Sequence, residues 1–226
     1  FFTLATLTPI RWATMAKVLV ACEYSGIVRD AMIRAGHECI SADLLPTEAP
    51  GPHYEGDVLD IIDDGWDMII AHPSCRYLAN SGALRLYKRG KKENGIDPER
   101  WEHMREGAAF FRRLWDADIP LKAFENPTMH RYAIEAIGIG KETQAIQPWQ
   151  FGHPESKRTC LWLDQLPKLI ATEILPLPAS GHWNNQTKDG QNRLLVDGKW
   201  ISYNDPRTAH LRAKTYIGVA EAMASQ

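Results

Sequence analysis

Three short stretches of this chain carry groups that could do covalent chemistry: Pro73-Ser74-Cys75, Glu125-Asn126-Pro127 and Ser156-Lys157-Arg158. A cysteine is nucleophilic as its thiolate, and neighbouring cations favour that form. A carboxyl placed beside it can give or take a proton. Each stretch adjoins an apolar run. Met68-Ile69-Ile70-Ala71 precedes Cys75 and ends at His72-Pro73, where proline gives up its N–H. Leu121 to Phe124 precedes Glu125, and Leu161-Trp162-Leu163 adjoins Lys157-Arg158. If these runs are strands of one parallel sheet, each reactive group sits at a strand end. Thiol, carboxyl and cations then meet along one sheet edge, which is where open α/β sheets bind ligands. A lone cysteine after a strand is more often inert core; the acid and the cations set Cys75 apart.

The elements that must position these groups read as alternating strand and helix. Lys17 to Cys22 is apolar and partly β-branched, a buried strand. Glu23-Tyr24-Ser25-Gly26 is the turn after it. A helix over 27–35 follows, with Ile27, Ala31 and Ile33-Arg34 as its expected face and Gly36 as its stop. His37 to Ala42 is the next strand, ending at Asp43. This strand–turn–helix–strand–acid order is that of a nucleotide-binding unit, with Asp43 standing 18 residues after Ser25. The turn has one glycine, so the G-x-G-x-x-G fingerprint is absent and a pyrophosphate-bearing dinucleotide is disfavoured. A nucleoside cofactor without phosphates fits better. Asp57, after Gly56, reads equally as a contact to a base amino group and as a helix N-cap.

Between Arg76 and Lys92 the chain carries Arg85, Lys88, Arg89, Lys91 and Lys92 in a long, glycine-containing polar loop. The run reads equally as a phosphate grip and as a solvated face. Asp97-Pro98-Glu99 opens a helix whose stripe is Trp101, Met104, Ala108, Phe111 and Trp115. A short helix over 129–137 and an extended segment at 145–148 follow. Residues 165–206 lose the α/β rhythm, and Asp197-Gly198 between apolar runs signals a hairpin with a type I′ turn. The last stretch, from Arg207, leads into a closing helix over 218–223.

The chain has 226 residues, 44% hydrophobic and 24% charged, with a net charge of −2. That suits one large domain with a small insert and excludes binding to nucleic acid by overall charge alone. The expected layout is an extension over 1–14 that lies outside the fold, a catalytic domain over 15–164, a small β-rich insert over 165–206 and a returning segment over 207–226. The four cysteines have no CxxC pair and make neither a disulfide framework nor a zinc site, so no metal is expected. No apolar run reaches the ~20 residues that span a bilayer. A reduced, cytoplasmic monomer is expected.

With these motifs in order, the sequence resembles the DNA cytosine methyltransferases acting at ring carbon 5, most closely their short, phage-encoded branch. The resemblance covers nearly all of Lys17 to Met223. Leu19 to Gly26 matches the cofactor strand and turn, Asp43 the ribose acid, and Gly56-Asp57 the adenine-contact acid. Pro73-Ser74-Cys75 matches the proline–cysteine motif, Phe124 to Pro127 the glutamate–asparagine–valine motif, and Ser156 to Thr159 the glutamine–arginine–arginine segment. Tyr216 to Met223 matches the final motif.

The resemblance implies a doubly wound, mostly parallel Rossmann-like methyltransferase fold and S-adenosylmethionine as cofactor. Glu23, Tyr24, Ser25, Gly26, Asp43, Asp57 and Pro73 would hold that cofactor. Cys75 would attack cytosine carbon 6, and Glu125 would stabilise the charge at nitrogen 3. Lys157 or Arg158 would help keep the thiol ionised. Asn126, Arg76 and Ser81 would contact the base or its strand, which must be flipped out of duplex DNA. The small insert implies short or relaxed sequence recognition. A free pyrimidine nucleotide as substrate and an inactive nucleic-acid-binding relative are the alternatives, with a nicotinamide oxidoreductase more distant.

Overall fold

The computed structural model describes residues 15–202 and 205–226, so the expected extension at 1–14 lies outside the described residues. Strands β1 (Lys17–Ala21), β2 (Glu38–Asp43), β3 (His53–Glu55), β4 (Met68–Ala71), β5 (Leu121–Asn126), β6 (Gln144–Ile146) and β7 (Thr159–Asp164) form one sheet in the order β3-β2-β1-β4-β5-β7-β6. The first five pair in parallel. β7 runs antiparallel to both β5 and β6. This mostly parallel α/β sheet is compatible with a Rossmann-like fold.

The central strands are buried on both faces, which is why they read as unbroken apolar runs. Val18, Val20, Met68 and Ile70 face one core, built with Val28, Ala31 and Met32 of α1 (Ile27–Arg34). Val219, Ala220, Ala222 and Met223 complete it from α5 (Ile217–Ser225). Leu19, Ala21, Ile69 and Ala71 face the other core. There Met104, Ala108, Phe111 and Leu114 of α2 (Pro98–Trp115) pack beside Ala133 and Ile137 of α3 (Arg131–Ile137). Trp101 and Trp115 of the expected stripe are only partly buried. Helix α1 also turns differently from expectation: Val28, Arg29, Ala31 and Met32 are its buried residues, while Ile33 is exposed.

Residues 76–97 are not an unstructured loop. They form three short 3-10 segments, 80–86, 88–90 and 92–94, fastened to the body of the protein. Leu86 is buried, the Asn80 amide donates to the Thr128 carbonyl at 2.8 Å, and the Tyr87 and Tyr132 hydroxyls lie 2.6 Å apart. Among the described residues of 165–202, the only strands are β8 (Leu194–Val196) and β9 (Lys199–Ile201), paired as a two-stranded hairpin. Its turn has positive φ at both Asp197 (49°) and Gly198 (74°), as a type I′ turn requires. An unexpected helix, α4 (Pro206–Ala213), precedes α5, with the Asp205 side chain accepting from the Arg207 amide at 2.9 Å.

Candidate active site

In the strand order β2-β1-β4-β5, chain connections leave β1 and β4 in opposite directions along the sheet. The crevice outside their carboxyl ends is the usual ligand position in such a sheet. The turn 23–26 and the segment 72–75 flank it, and the His72 amide donates to the Ala21 carbonyl at 2.9 Å.

On the β4–β5 side, the parallel register pairs Ala71 with Phe124. His72 and Glu125 therefore leave the sheet as neighbours, with His72 Nδ1 3.3 Å from Glu125 Oε2. Asn126 is buried; its Nδ2 donates to the Pro73 carbonyl at 2.7 Å, which fixes the strand exit just before Cys75. The amides of Leu78 and Ala79 both donate to the Cys75 carbonyl at 3.0 Å, so the chain coils immediately after the cysteine. His130 locks that coil against β5. Its Nε2 pairs with the Tyr77 carbonyl at 2.9 Å, and its Nδ1 accepts from the Ala133 amide as the cap of α3.

Lys157 and Arg158 reach the same edge for a reason other than the one expected. They stand at the start of β7, and because that strand is antiparallel, its start lies beside the end of β5. Successive residues of an extended chain point oppositely. Lys157 Nζ donates to the carbonyls of Arg212 (2.8 Å) and Lys214 (3.2 Å), linking the site to the C-terminal end of α4. Arg158 turns away to Thr128 Oγ1 (3.2 Å) and Glu142 (3.1 Å) and is removed from the thiol.

The charges of the site act on one another. Burial pushes the Glu125 carboxyl up, but the His72 hydrogen bond and the Lys157 charge outweigh it and hold the carboxyl below its ordinary range. Cys75 is exposed as a residue, yet desolvation of its thiol and then the Glu125 charge push the thiol up. Its own backbone, Lys157 and Arg212 pull the other way without reversing this. The free protein therefore holds a thiol and a carboxylate, the reverse of the pair that attack requires.

On the side expected to hold a cofactor, Glu23 is largely consumed by the fold. It is buried, and its Oε1 accepts from Ser25 Oγ (2.8 Å) and the Val28 amide (2.9 Å) while Oε2 accepts from the Arg29 amide (3.4 Å). A glutamate thus caps α1 from below, and Ser25 is tied to it. Gly26 sits at the N-cap with φ 74°, the left-handed region. Tyr24 donates from its hydroxyl to the His210 carbonyl at 2.7 Å and stacks on the His210 ring, 4.9 Å between centroids. Asp57 caps the 3-10 turn 58–60, accepting from the Leu59 amide at 3.0 Å through Oδ1. Asp43 accepts from the Leu45 amide at 2.9 Å. Burial pushes the Cys22 thiol up to about 12, with help from Asp43 and then Asp57, so these two acids converge on the end of β1.

Arg76 and Ser81 are exposed; Arg76 lies over the Tyr77 ring at 5.4 Å. Four contributors were not signalled by sequence pattern: Arg29, His72, Glu48 and Arg212. Glu48 pairs with Lys214 at 2.6 Å and with His210, clamping α4 over the Tyr24 turn. Among the described residues no group of acids, histidines and cysteines is arranged to hold a metal, and no helix is long and apolar enough to cross a membrane. No protein-family model matches the chain, and no curated protein matches it at a significant level.

Proposed function

We propose that the protein transfers a methyl group from S-adenosylmethionine to carbon 5 of cytosine in DNA through a covalent cysteine adduct. The observation that carries this reading is the charge-coupled group at one sheet edge, in which Cys75 feels Glu125 and Lys157, and Glu125 feels Lys157 and His72. When bound, the cofactor supplies an electrophilic methyl group. Cys75 attacks ring carbon 6, its S–H bond giving way to S–C, and the displaced π electrons end on nitrogen 3. Glu125 delivers a proton there, made good by the one the thiol gives up, so carbon 5 becomes an enamine-like nucleophile. After methylation, carbon 5 loses its hydrogen as a proton and Cys75 is expelled. Nitrogen 3 then returns its proton, and one proton is released overall.

The cofactor side suits this chemistry. The α1 N-terminus, the usual seat of a cofactor phosphate, is already filled by the Glu23 carboxylate. A diphosphate is repelled there, whereas S-adenosylmethionine has no phosphate to place. Asp43 and Asp57 remain on the rim for ribose hydroxyls and the base.

A polymeric substrate is supported by charge. Between Arg76 and Ile96 there are six cations and one acid, Glu93, in a chain whose net charge is −2. None of the six makes an ion pair with a described residue, while Arg105, Arg112, Arg158 and Arg207 elsewhere each hold an acid. Such a face, following directly on Cys75, matches a phosphate backbone.

The test is the full chain with methyl-labelled cofactor, duplex DNA and deoxycytidine nucleotides. Label in DNA that disappears in Cys75→Ala is expected, as is a trapped adduct with DNA containing 5-fluorocytosine. Label in nucleotides alone would move the substrate to the free pyrimidine, and cofactor binding without transfer to either would end the methyltransferase reading.

A further inference from the structure

His72 has no part in the reaction as set out above, yet the fold builds it against Glu125. The β4–β5 register makes the two residues neighbours, and their side chains are 8% and 15% exposed. The ring engages Oε2, and no hydrogen bond from a described residue reaches Oε1. The second ring nitrogen, Nε2, is buried with no partner among the described residues. Burying an imidazole with one unmatched nitrogen costs desolvation that an apolar residue at this strand end would avoid. A role in the site accounts for it.

We propose that His72 is the positioning residue for Glu125: it holds the carboxylate towards a bound pyrimidine through Oε2 and carries the proton that Glu125 passes to ring nitrogen 3. The inference rests on the methyltransferase reading. The proton count closes within the site. As Cys75 attacks, its S–H bond breaks, S–C6 forms and the ring π pair ends on nitrogen 3. His72 Nδ1 passes its proton to the Glu125 carboxylate, Glu125 forms the N3–H bond with it, and the proton leaving the thiol returns to the His72–Glu125 pair. Expulsion of Cys75 runs these transfers backwards. No external acid is consumed. The charge state of the free site agrees, since a protonated thiol and an ionised Glu125 must exchange one proton before attack. The charged groups acting on that exchange are Lys157, beside both, and Arg212, beside the thiol.

The test has two arms, each on the full chain, with thermal melts to show that every variant folds. In protein labelled with 15N-histidine, with the His72 signal assigned by its loss in His72→Asn, the wild type carries a proton on Nδ1 and Glu125→Ala loses it. A bare Nδ1 in the wild type overturns the proposal. In methyl transfer, His72→Leu lowers kcat on the order of 10²-fold, the scale of a lost proton-transfer partner, with KM for S-adenosylmethionine unchanged. His72→Asn keeps a donor near the Nδ1 position and restores KM for DNA but not kcat. Wild-type kcat in His72→Leu overturns the proposal, and full recovery of kcat in His72→Asn removes its proton-carrying half. A wild type that methylates neither DNA nor nucleotides refutes the methyltransferase reading instead, and the labelled-histidine arm still judges the pair.

Discussion

Replacing Arg29 by methionine destabilises the protein by about 1–3 kcal/mol. Arg29 is fully buried. Its Nη2 donates to the carbonyls of Ala49 (3.1 Å) and Pro50 (3.2 Å), its Nη1 to Ser41 Oγ (3.3 Å) and Thr47 Oγ1 (3.2 Å), and its Nε to Asp30 (2.8 Å). Ser41 and Thr47 keep other partners, His53 Nδ1 and the Ala49 carbonyl. Asp30 is a third exposed and rehydrates. The Ala49 carbonyl keeps the Thr47 hydroxyl, so the Pro50 carbonyl is the group left unmatched, at roughly 1–3 kcal/mol, and methionine fills most of the volume. For a chain of this size that is a fall in Tm of roughly 2–12 °C, read by circular dichroism and checked by urea unfolding. Gly26 supplies an internal control. A Cβ there would lie 2.4 Å from Arg29 Nη2, at a φ of 74°. Gly26→Ala therefore destabilises the wild type more than it destabilises Arg29→Met, since the strain remains but the clash is relieved. A Tm of Arg29→Met within about 2 °C of wild type, or strictly additive effects of the two changes, refutes the reasoning.

If the 76–92 face grips DNA, changing Arg85, Lys88, Arg89 and Lys91 to glutamine reduces the slope of log K against log salt by about 0.9 for each phosphate contact removed. Fluorescence anisotropy at several salt concentrations reads this, and an unchanged slope sinks the assignment. On the proposed methyltransferase reading, Lys157→Ala abolishes most methyl transfer while Arg158→Ala retains it, because of the two only Lys157 acts on Cys75 and Glu125; equal losses in steady-state assays would contradict that division. Glu125 also contributes to stability. Its folded-state carboxyl lies below the ordinary carboxylate range, so the contribution is fully present above that range and is lost as pH falls through the folded value. The difference in urea midpoint between wild type and Glu125→Gln should therefore be constant near neutrality and shrink in acid; a difference that grows in acid would reverse the sign.

How much of this was legible depended on how local the determining contacts are. Strands β1, β4 and β5 are buried on both faces, so their apolar runs announce them. The α2 start and the hairpin turn are set by adjacent residues, Asp97-Pro98 and Asp197-Gly198. Asp205-Pro206 is the same helix opening as Asp97-Pro98, but α4 buries only Thr208, so no apolar stripe followed to identify it. Arg29 reads as a solvated helix residue because the acceptors that justify its burial lie 12 to 21 residues further on, in the β2–β3 region.

The site itself shows the limit most clearly. Cys75, Glu125 and Lys157 were recognisable by type, since each adjoins an apolar run. Strand direction leaves no trace in side-chain pattern, so nothing marked β7 as reversed. That reversal is what brings residues 157 and 158 to the β5 end and sends them to opposite sides, one into the site and one out to Glu142. The pairing of His72 with Glu125 spans 53 residues and exists only through the register of two parallel strands. A shift of one residue in that register would turn the imidazole to the other face of the sheet and separate the pair. The reactive groups are thus written in composition and spacing, while their division of labour follows from how the sheet is threaded.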